Sequence, residues 1–257
     1  MKKSLFLLFV LFMPICVFSQ IGRVDYILIE KKTGSKTIDS KKATLFFSAD
    51  SSLFIHSKAN SFGEEEAYWP SNIDWFKDKS KDDMGAYIVD PVGQGVYKNF
   101  NSKRLQFRKM FLAESYTLDE PKWIDFKWKI FKEKKVIGNI QCLKATTKFR
   151  GRSYTAWFAP SIPIQDGPWK LNGCPGLILE AYDDTDEVVF LFSGIKYPLE
   201  ESKNPIDSFT VTNVHTFEEF KKAPEIEFQK MKRRALSSES STGTIKRIVN
   251  KEVELEF

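Results

Sequence analysis

Histidine and cysteine are scarce in this chain of 257 residues, which has two of the first and three of the second. That scarcity removes several chemistries. His56 and His215 stand alone, with no HExxH, so the helical zinc-protease pattern is missing. No G-x-S-x-G is present, which removes the usual hydrolase elbow. There is no P-loop and no G-x-G-x-x-G after a strand. Without a C-x-x-C, a thioredoxin-like redox centre and a structural zinc site are both unsupported. His56 ends a predicted strand and His215 precedes a predicted helix; both read as surface or capping residues. Charge of one sign is lacking too. Lys and Arg number 39 against 34 acids, and they are interspersed, so the formal +5 and the pI near 8.9 do not imply nucleic acid. No cofactor and no metal is expected.

Long apolar runs are also missing, except at the start. Lys2-Lys3 followed by the apolar stretch Leu5–Val17 has the form of a secretory signal peptide. Val17 and Ser19 suit the −3 and −1 positions, so residues 1–19 are expected to be removed, leaving Gln20 first. The run is short for a membrane-spanning helix. Cys16 would serve as a lipid-anchor site only with a small residue before it, and Ile15 stands there. The expected location is across the inner membrane: periplasmic or outer-membrane associated, with no transmembrane segment after signal removal. Outside the cytoplasm the remaining pair, Cys142 and Cys174, is a candidate disulfide; two separate buried thiols is the alternative.

What is abundant is short strands. Arg23–Lys32, Ala43–Ser48, Ser52–His56, Ala86–Val89, Gly95–Asn99, Arg104–Leu112 and Ser115–Leu118 read as strands between turn signals. Ile124–Phe131, Gly138–Lys148, Ser153–Phe158, Leu177–Tyr182 and Val188–Ile195 continue the series. In Ile124–Phe131, Ile124, Phe126, Trp128 and Ile130 share one face, predicting a half-buried strand. Residues 57–83 are polar and read as a surface insertion within a β-rich domain spanning 20–200. Residues 201–257 add a strand at Phe209–Val214 and a short helix capped by Thr216. Pro224 is expected to end that helix before a second one over Glu225–Leu236. A Ser-rich tether follows, with Ile245–Phe257 as a candidate edge strand. The fold class predicted is mainly β: an antiparallel meander curled into an open barrel or sandwich, with short C-terminal helices.

The densest run of aromatic, Pro and Gly residues is Tyr154–Phe192. Asp166-Gly167-Pro168 and Gly173-Cys174-Pro175-Gly176 are turn signals, and Leu177-Ile178-Leu179 starts a buried strand. Gly167–Glu180, GPWKLNGCPGLILE, resembles the signature of the GLPGLI family. Pro175, Gly176, Leu177 and Ile178 match it, while Cys174 stands where the family name has Leu. Arg150-Gly151-Arg152 and Tyr154–Ile164 resemble the family's approach to the motif. The resemblance implies a β-rich secreted envelope protein of Bacteroidetes-type bacteria, uncharacterised in biochemical role. It carries over no catalytic residue.

Two readings of the signature turn stand side by side. Gly173, Cys174, Pro175, Gly176, Leu177 and Ile178 set an unusual turn and fill a core, or the loop binds something, with Trp169 and Lys170 at a sheet rim. Arg150 and Arg152 either clamp an anion or pair with Asp166 or the Asp183 cluster across the sheet. Asp183, Asp184, Asp186 and Glu187 read as a hairpin turn rather than a calcium loop. With Trp157, the candidate binding residues are Arg150, Arg152, Trp157, Asp166, Trp169 and Lys170. The function expected is a non-catalytic envelope protein binding a lipid or other apolar ligand, or a partner, on a curled sheet. The alternative is a structural or interaction partner of an outer-membrane receptor or secretion system. A hydrolase using Glu180 and Asp183 is the weaker third.

Overall fold

The computed structural model describes residues 20–31, 38–56, 93–111, 114–200, 204–208 and 214–237. The leader, the 57–83 stretch, the strand expected at Ala86–Val89, most of that expected at Phe209–Val214 and the Ser-rich tail lie outside the described residues.

Among the described residues, twelve strands form one sheet. They are β1 (Gly22–Lys31), β2 (Ile38–Phe47), β3 (Ser51–His56), β4 (Gln94–Asn99), β5 (Arg104–Phe111) and β6 (Glu114–Asp119), then β7 (Lys129–Ile137), β8 (Ile140–Phe149), β9 (Arg152–Ala159), β10 (Leu177–Asp183), β11 (Val188–Lys196) and β12 (Val214–His215). Their order is β12-β6-β5-β4-β3-β2-β1-β11-β10-β9-β8-β7. Neighbouring strands run antiparallel, except that β12 lies parallel to β6. The expected meander is therefore present as one open sheet with a helix after it, α1 (Phe217–Ser237).

Local chemistry accounts for the hairpins. Ser48 closes the β2–β3 turn, its hydroxyl accepting from the amides of Asp50 and Ser51. The β7–β8 and β8–β9 turns are Gly138-Asn139 and Arg150-Gly151, with all four residues at positive φ. Such primed turns match the right-handed twist of the strands they join. Alternation sets the faces: Val24, Tyr26 and Leu28 on β1 and Tyr154, Ala156 and Phe158 on β9 are buried, with half-exposed residues between them. The core joins these to Leu45, Phe54, Val96, Phe107, Leu118 and Phe190.

Two expectations need correction. The half-buried strand predicted over Ile124–Phe131 enters the sheet only at Lys129; Trp123–Trp128 make no ladder. Phe126 instead packs on Phe149, with ring centroids 5.0 Å apart, and the Trp128 indole N–H donates to the Asn172 carbonyl at 2.7 Å. These contacts hold the segment on the core without pairing its backbone to β8. The two predicted helices are one, because Pro224 does not interrupt α1. Proline deletes a single backbone donor there, while the start is fixed by a reciprocal cap. The Glu219 amide donates to Thr216 Oγ1 (3.2 Å) and the Thr216 amide to Glu219 Oε2 (2.7 Å).

Candidate functional site

The β9–β10 connection, Pro160 to Gly176, folds back on itself. Gly173 N–H donates to Gln165 O (3.0 Å), Leu171 N–H to Pro168 O (3.1 Å) and Ile178 N–H to Asp166 O (2.9 Å). This closed loop presents Asp166 to Lys98 of β4. Both side chains are fully buried, 2.5 Å apart. The ammonium also donates to the carbonyls of Gly167 (2.8 Å) and Leu171 (3.2 Å). The Asp166 carboxylate makes no aligned hydrogen bond, so charge attraction carries the contact. Burial pushes the Lys98 pKa below the usual lysine value, and the adjacent Asp166 charge only partly opposes it. Beside them the Tyr26 hydroxyl donates to the Ile178 carbonyl at 2.6 Å.

A second charged cluster ties the same loop to the end of β6. Lys170 is fully buried and meets Glu120 at 3.0 Å, with its ammonium 3.9 Å from the centre of the Phe107 ring. Arg150 holds the other Glu120 oxygen. Trp169, at φ 53°, rests against Phe149 (5.9 Å) and Tyr154 (6.3 Å). Arg152 is engaged by Asp183, by Glu187 at 2.6 Å and by Thr185 at 3.3 Å. Asp183 also accepts from the Val188 amide. Both arginines are thus paired within the protein: Arg152 with the Asp183 cluster, Arg150 with Glu120, which the sequence reading did not single out. Trp157 lies apart, half-buried on β9 between Lys144 and Glu180 in the ladder, with the Lys135 ammonium 5.7 Å from its ring.

The signature turn is packed except at two positions. Gly173 and Pro175 reach solvent; Cys174, Leu177 and Ile178 are buried. Gly176, at φ 152°, leaves no room for a side chain, since a Cβ would fall 2.3 Å from the Ala159 carbonyl oxygen. Cys142 and Cys174 are separate thiols, both buried. Cys142 belongs to β8, and β9 stands between that strand and β10, which begins just after Cys174. Two strand spacings, about 10 Å, exceed what a disulfide spans. Burial, then the Glu180 charge, pushes the Cys142 thiol up to about 11 although Lys135 pulls it down; burial alone raises Cys174.

Glu180 and Asp183, the carboxylates of the hydrolase reading, do not converge. Glu180 bonds Lys135 at 2.5 Å and Asp183 bonds Arg152. Three residues apart on one strand, they project to opposite faces. His56 lies 6.0 Å from the Phe54 ring, and His215 is 5.0 Å from the Tyr116 ring and 3.7 Å from Glu219.

Where Trp123–Trp128 leaves the ladder, an open cleft of about 450 Å³ forms against the end of β8. Ile124, Phe126 and Phe149 supply its apolar lining; Asp125, Lys127 and Lys148 its charge. The Thr147 hydroxyl donates to Lys127 O at 3.2 Å, fixing one wall to the other. The Lys127 ammonium holds the exposed Asp125 carboxyl below its usual range. An apolar floor under a charged rim suits binding of an extended chain or a ring.

Residues 149–180 match a family model described as a protein of unknown function (Porph_ging). That range holds Arg150, Arg152, Trp169, Lys170 and the signature turn. No curated protein matches the chain. Among solved structures it is similar to PNGF-II, in both the P21 and C2 crystal forms, with TM-score 0.51 and 13% identity. That likeness covers 79% of this chain but only 32% of the PNGF-II chain, so it spans about a third of that protein and speaks to fold alone. A DUF1329 family protein from Desulfovibrio piger aligns over 72% of this chain and 89% of its own at 9% identity, with TM-score 0.30. A putative outer membrane lipoprotein-sorting protein domain from Vibrio parahaemolyticus aligns over 73% and 89% at 8% identity, with TM-score 0.25. Neither of these two scores carries an argument about function. Among the described residues, no helix is long and apolar enough to cross a membrane, which says nothing of strands.

Proposed function

We propose that this chain is a non-catalytic envelope protein of the GLPGLI type that docks a partner protein in the cleft beside Phe126 and Phe149. One observation carries this reading. The chain's own Pro160–Gly176 loop is pinned to β4 and to the end of β6 by Lys98–Asp166 and Lys170–Glu120 and buries Leu171 and Cys174 in the core, where a curled sheet would otherwise offer room to an apolar ligand. The polar side chains first singled out there are spent on internal pairs, so the loop acts as a plug. Open space lies instead at the cleft, where the lining residues are held on one side by a strand and on the other by an unladdered segment. The leader-like residues 1–19 support export, and the signature supports envelope residence.

The test is site-specific photo-crosslinking in the native envelope, with p-benzoylphenylalanine replacing Lys148 on the cleft rim and, as control, Lys221 on α1. The expected result is one discrete crosslinked protein from position 148 and none from 221. Equal crosslinking from both positions, together with a stoichiometric lipid in an organic extract of the purified protein, would overturn the docking reading in favour of a lipid-binding one.

A further inference from the structure

Lys98 and Asp166 are arranged in a way that an ion pair does not need. Neither side chain reaches solvent. The Asp166 carboxyl oxygens accept no aligned hydrogen bond, and among the described residues Lys98 is the one cation against them. A buried carboxylate kept for structure is normally surrounded by donors, because an anion taken out of water must be solvated again by the protein. Lys98 spends its hydrogens elsewhere. Its nitrogen donates to the Gly167 carbonyl at 2.8 Å and to the Leu171 carbonyl at 3.2 Å. A neutral amine has two N–H bonds and one lone pair. With both N–H bonds on the two carbonyls, the lone pair is left for the side on which Asp166 stands, its Oδ1 2.5 Å away. Oδ1 is one bond from Cγ, so the nitrogen lies within about 3.8 Å of that carbon. Atoms poised to react sit about 3–3.5 Å apart, a small further movement.

Both groups are held in place. Lys98 sits in the ladder between Ser52 of β3 and Leu105 of β5. The Asp166 backbone is fixed by the Ile178 amide, which donates to its carbonyl at 2.9 Å, and by its bridge to Asn172. Two groups fixed at this range react as one molecule, without the entropy loss of bringing them together. Burial also favours the uncharged lysine. We infer that Lys98 Nζ and Asp166 Cγ join in an intramolecular isopeptide bond, so that this pair is a self-modification site tying β4 to the β9–β10 loop. The ammonium first gives one proton to the carboxylate, leaving an amine beside a carboxylic acid. The Nζ lone pair attacks Cγ, the N–C bond forms and the C–OH bond breaks. The hydroxyl leaves as water with one proton taken from the nitrogen. The amide retains one N–H for the Gly167 or Leu171 carbonyl. No oxidant, metal or second substrate enters. Two buried charges become one neutral group, which a dry site favours. The cross-link supplies the covalent staple that Cys142 and Cys174, as separate thiols, do not.

The inference stands apart from the docking cleft, which neither residue lines. Tryptic digestion of the purified, denatured protein and mass spectrometry read the bond directly. Trypsin cleaves after a free Lys98, giving residues 82–98, 99–103 and 153–170 as separate peptides. A cross-linked Lys98 is not cleaved. Residues 82–103 and 153–170 are then expected as one branched peptide, lighter by one water, about 18 Da, than the two together. Fragmentation is expected to place the junction at Lys98 and Asp166. Lys98→Met removes the nucleophile, and the branched peptide is expected to be lost from that variant. The deciding measurement is made on the unaltered chain and does not depend on whether the variant folds. Complete cleavage after Lys98 with both segments at full mass, a junction at any other residue, or a branched peptide that persists in Lys98→Met overturns the inference.

Discussion

At the scale of single residues, Gly176 explains why a signature glycine stands where it does. Its φ of 152° and the Ala159 carbonyl 2.3 Å from any Cβ combine a strained conformation with a hard backbone clash. Gly176→Ala is expected to lower unfolding free energy by about 2–4 kcal/mol, read from urea denaturation of the purified protein. A change under about 0.5 kcal/mol would mean the turn relaxes freely. Tyr26 gives a pH signature. Burial first, then the charges of Asp166 and Asp25, holds its phenol well above the usual value. A folded pKa above the unfolded one means the folded state keeps the proton longer. The resulting stability is whole below about pH 10 and is lost as pH rises towards the folded value. Between pH 9 and 11 the parent protein should therefore lose on the order of 1 kcal/mol more stability than Tyr26→Phe, which cannot titrate. Parallel pH profiles for the two proteins would refute this. The residue scale is also where the sequence was least legible. Glu120 passes for an ordinary turn acid, since its partners lie 30 and 50 positions away. Lys98 left a trace: it continues the buried phase of Val96, two residues earlier, which a surface lysine would not.

At the scale of elements, hairpin order was legible because it is local. Turn residues and alternation sit within a few positions of the strands they define, and β3, β4–β5 and β8 to β11 fall close to their expected limits, while β2 starts at Ile38 rather than at the expected Ala43. Trp123–Trp128 misled because alternation records which side is buried, and says nothing about whether the backbone is paired. The anchoring Trp128–Asn172 bond spans 44 positions. Helix α1 misled for the opposite reason, a strong local breaker overridden by its surroundings. Its cap supplies the element-scale prediction. Thr216→Ala removes the acceptor for the Glu219 amide and should cost about 1 kcal/mol, seen as an earlier loss of far-ultraviolet ellipticity on heating. An unchanged melting curve would mean that packing of Phe217 and Phe220 alone fixes the helix start.

At the scale of the molecule, both thiols belong to one hydrophobic core although they come from a strand and a loop. Burial and raised pKa make each a poor nucleophile near neutrality. Residues 20–257, which hold Cys142 and Cys174, are expected to leave a thiol reagent unreacted at pH 8 and to release two equivalents in one phase with global unfolding. Two kinetically distinct phases would show that the core opens in parts.

The strand order has a consequence for how the chain reaches this state. β2 to β6 form one run of neighbours and β7 to β11 another, and β1 is the strand that joins them, paired to β2 on one side and to β11 on the other. Arg23 faces Lys196. Among the described strands, β1 must therefore wait for β11 before its second ladder can close, and the two halves stay unjoined until then. Such non-local closure is slow. A chain arranged this way keeps its two halves apart until β11 has been made, so joining them is the late, slow step of its folding.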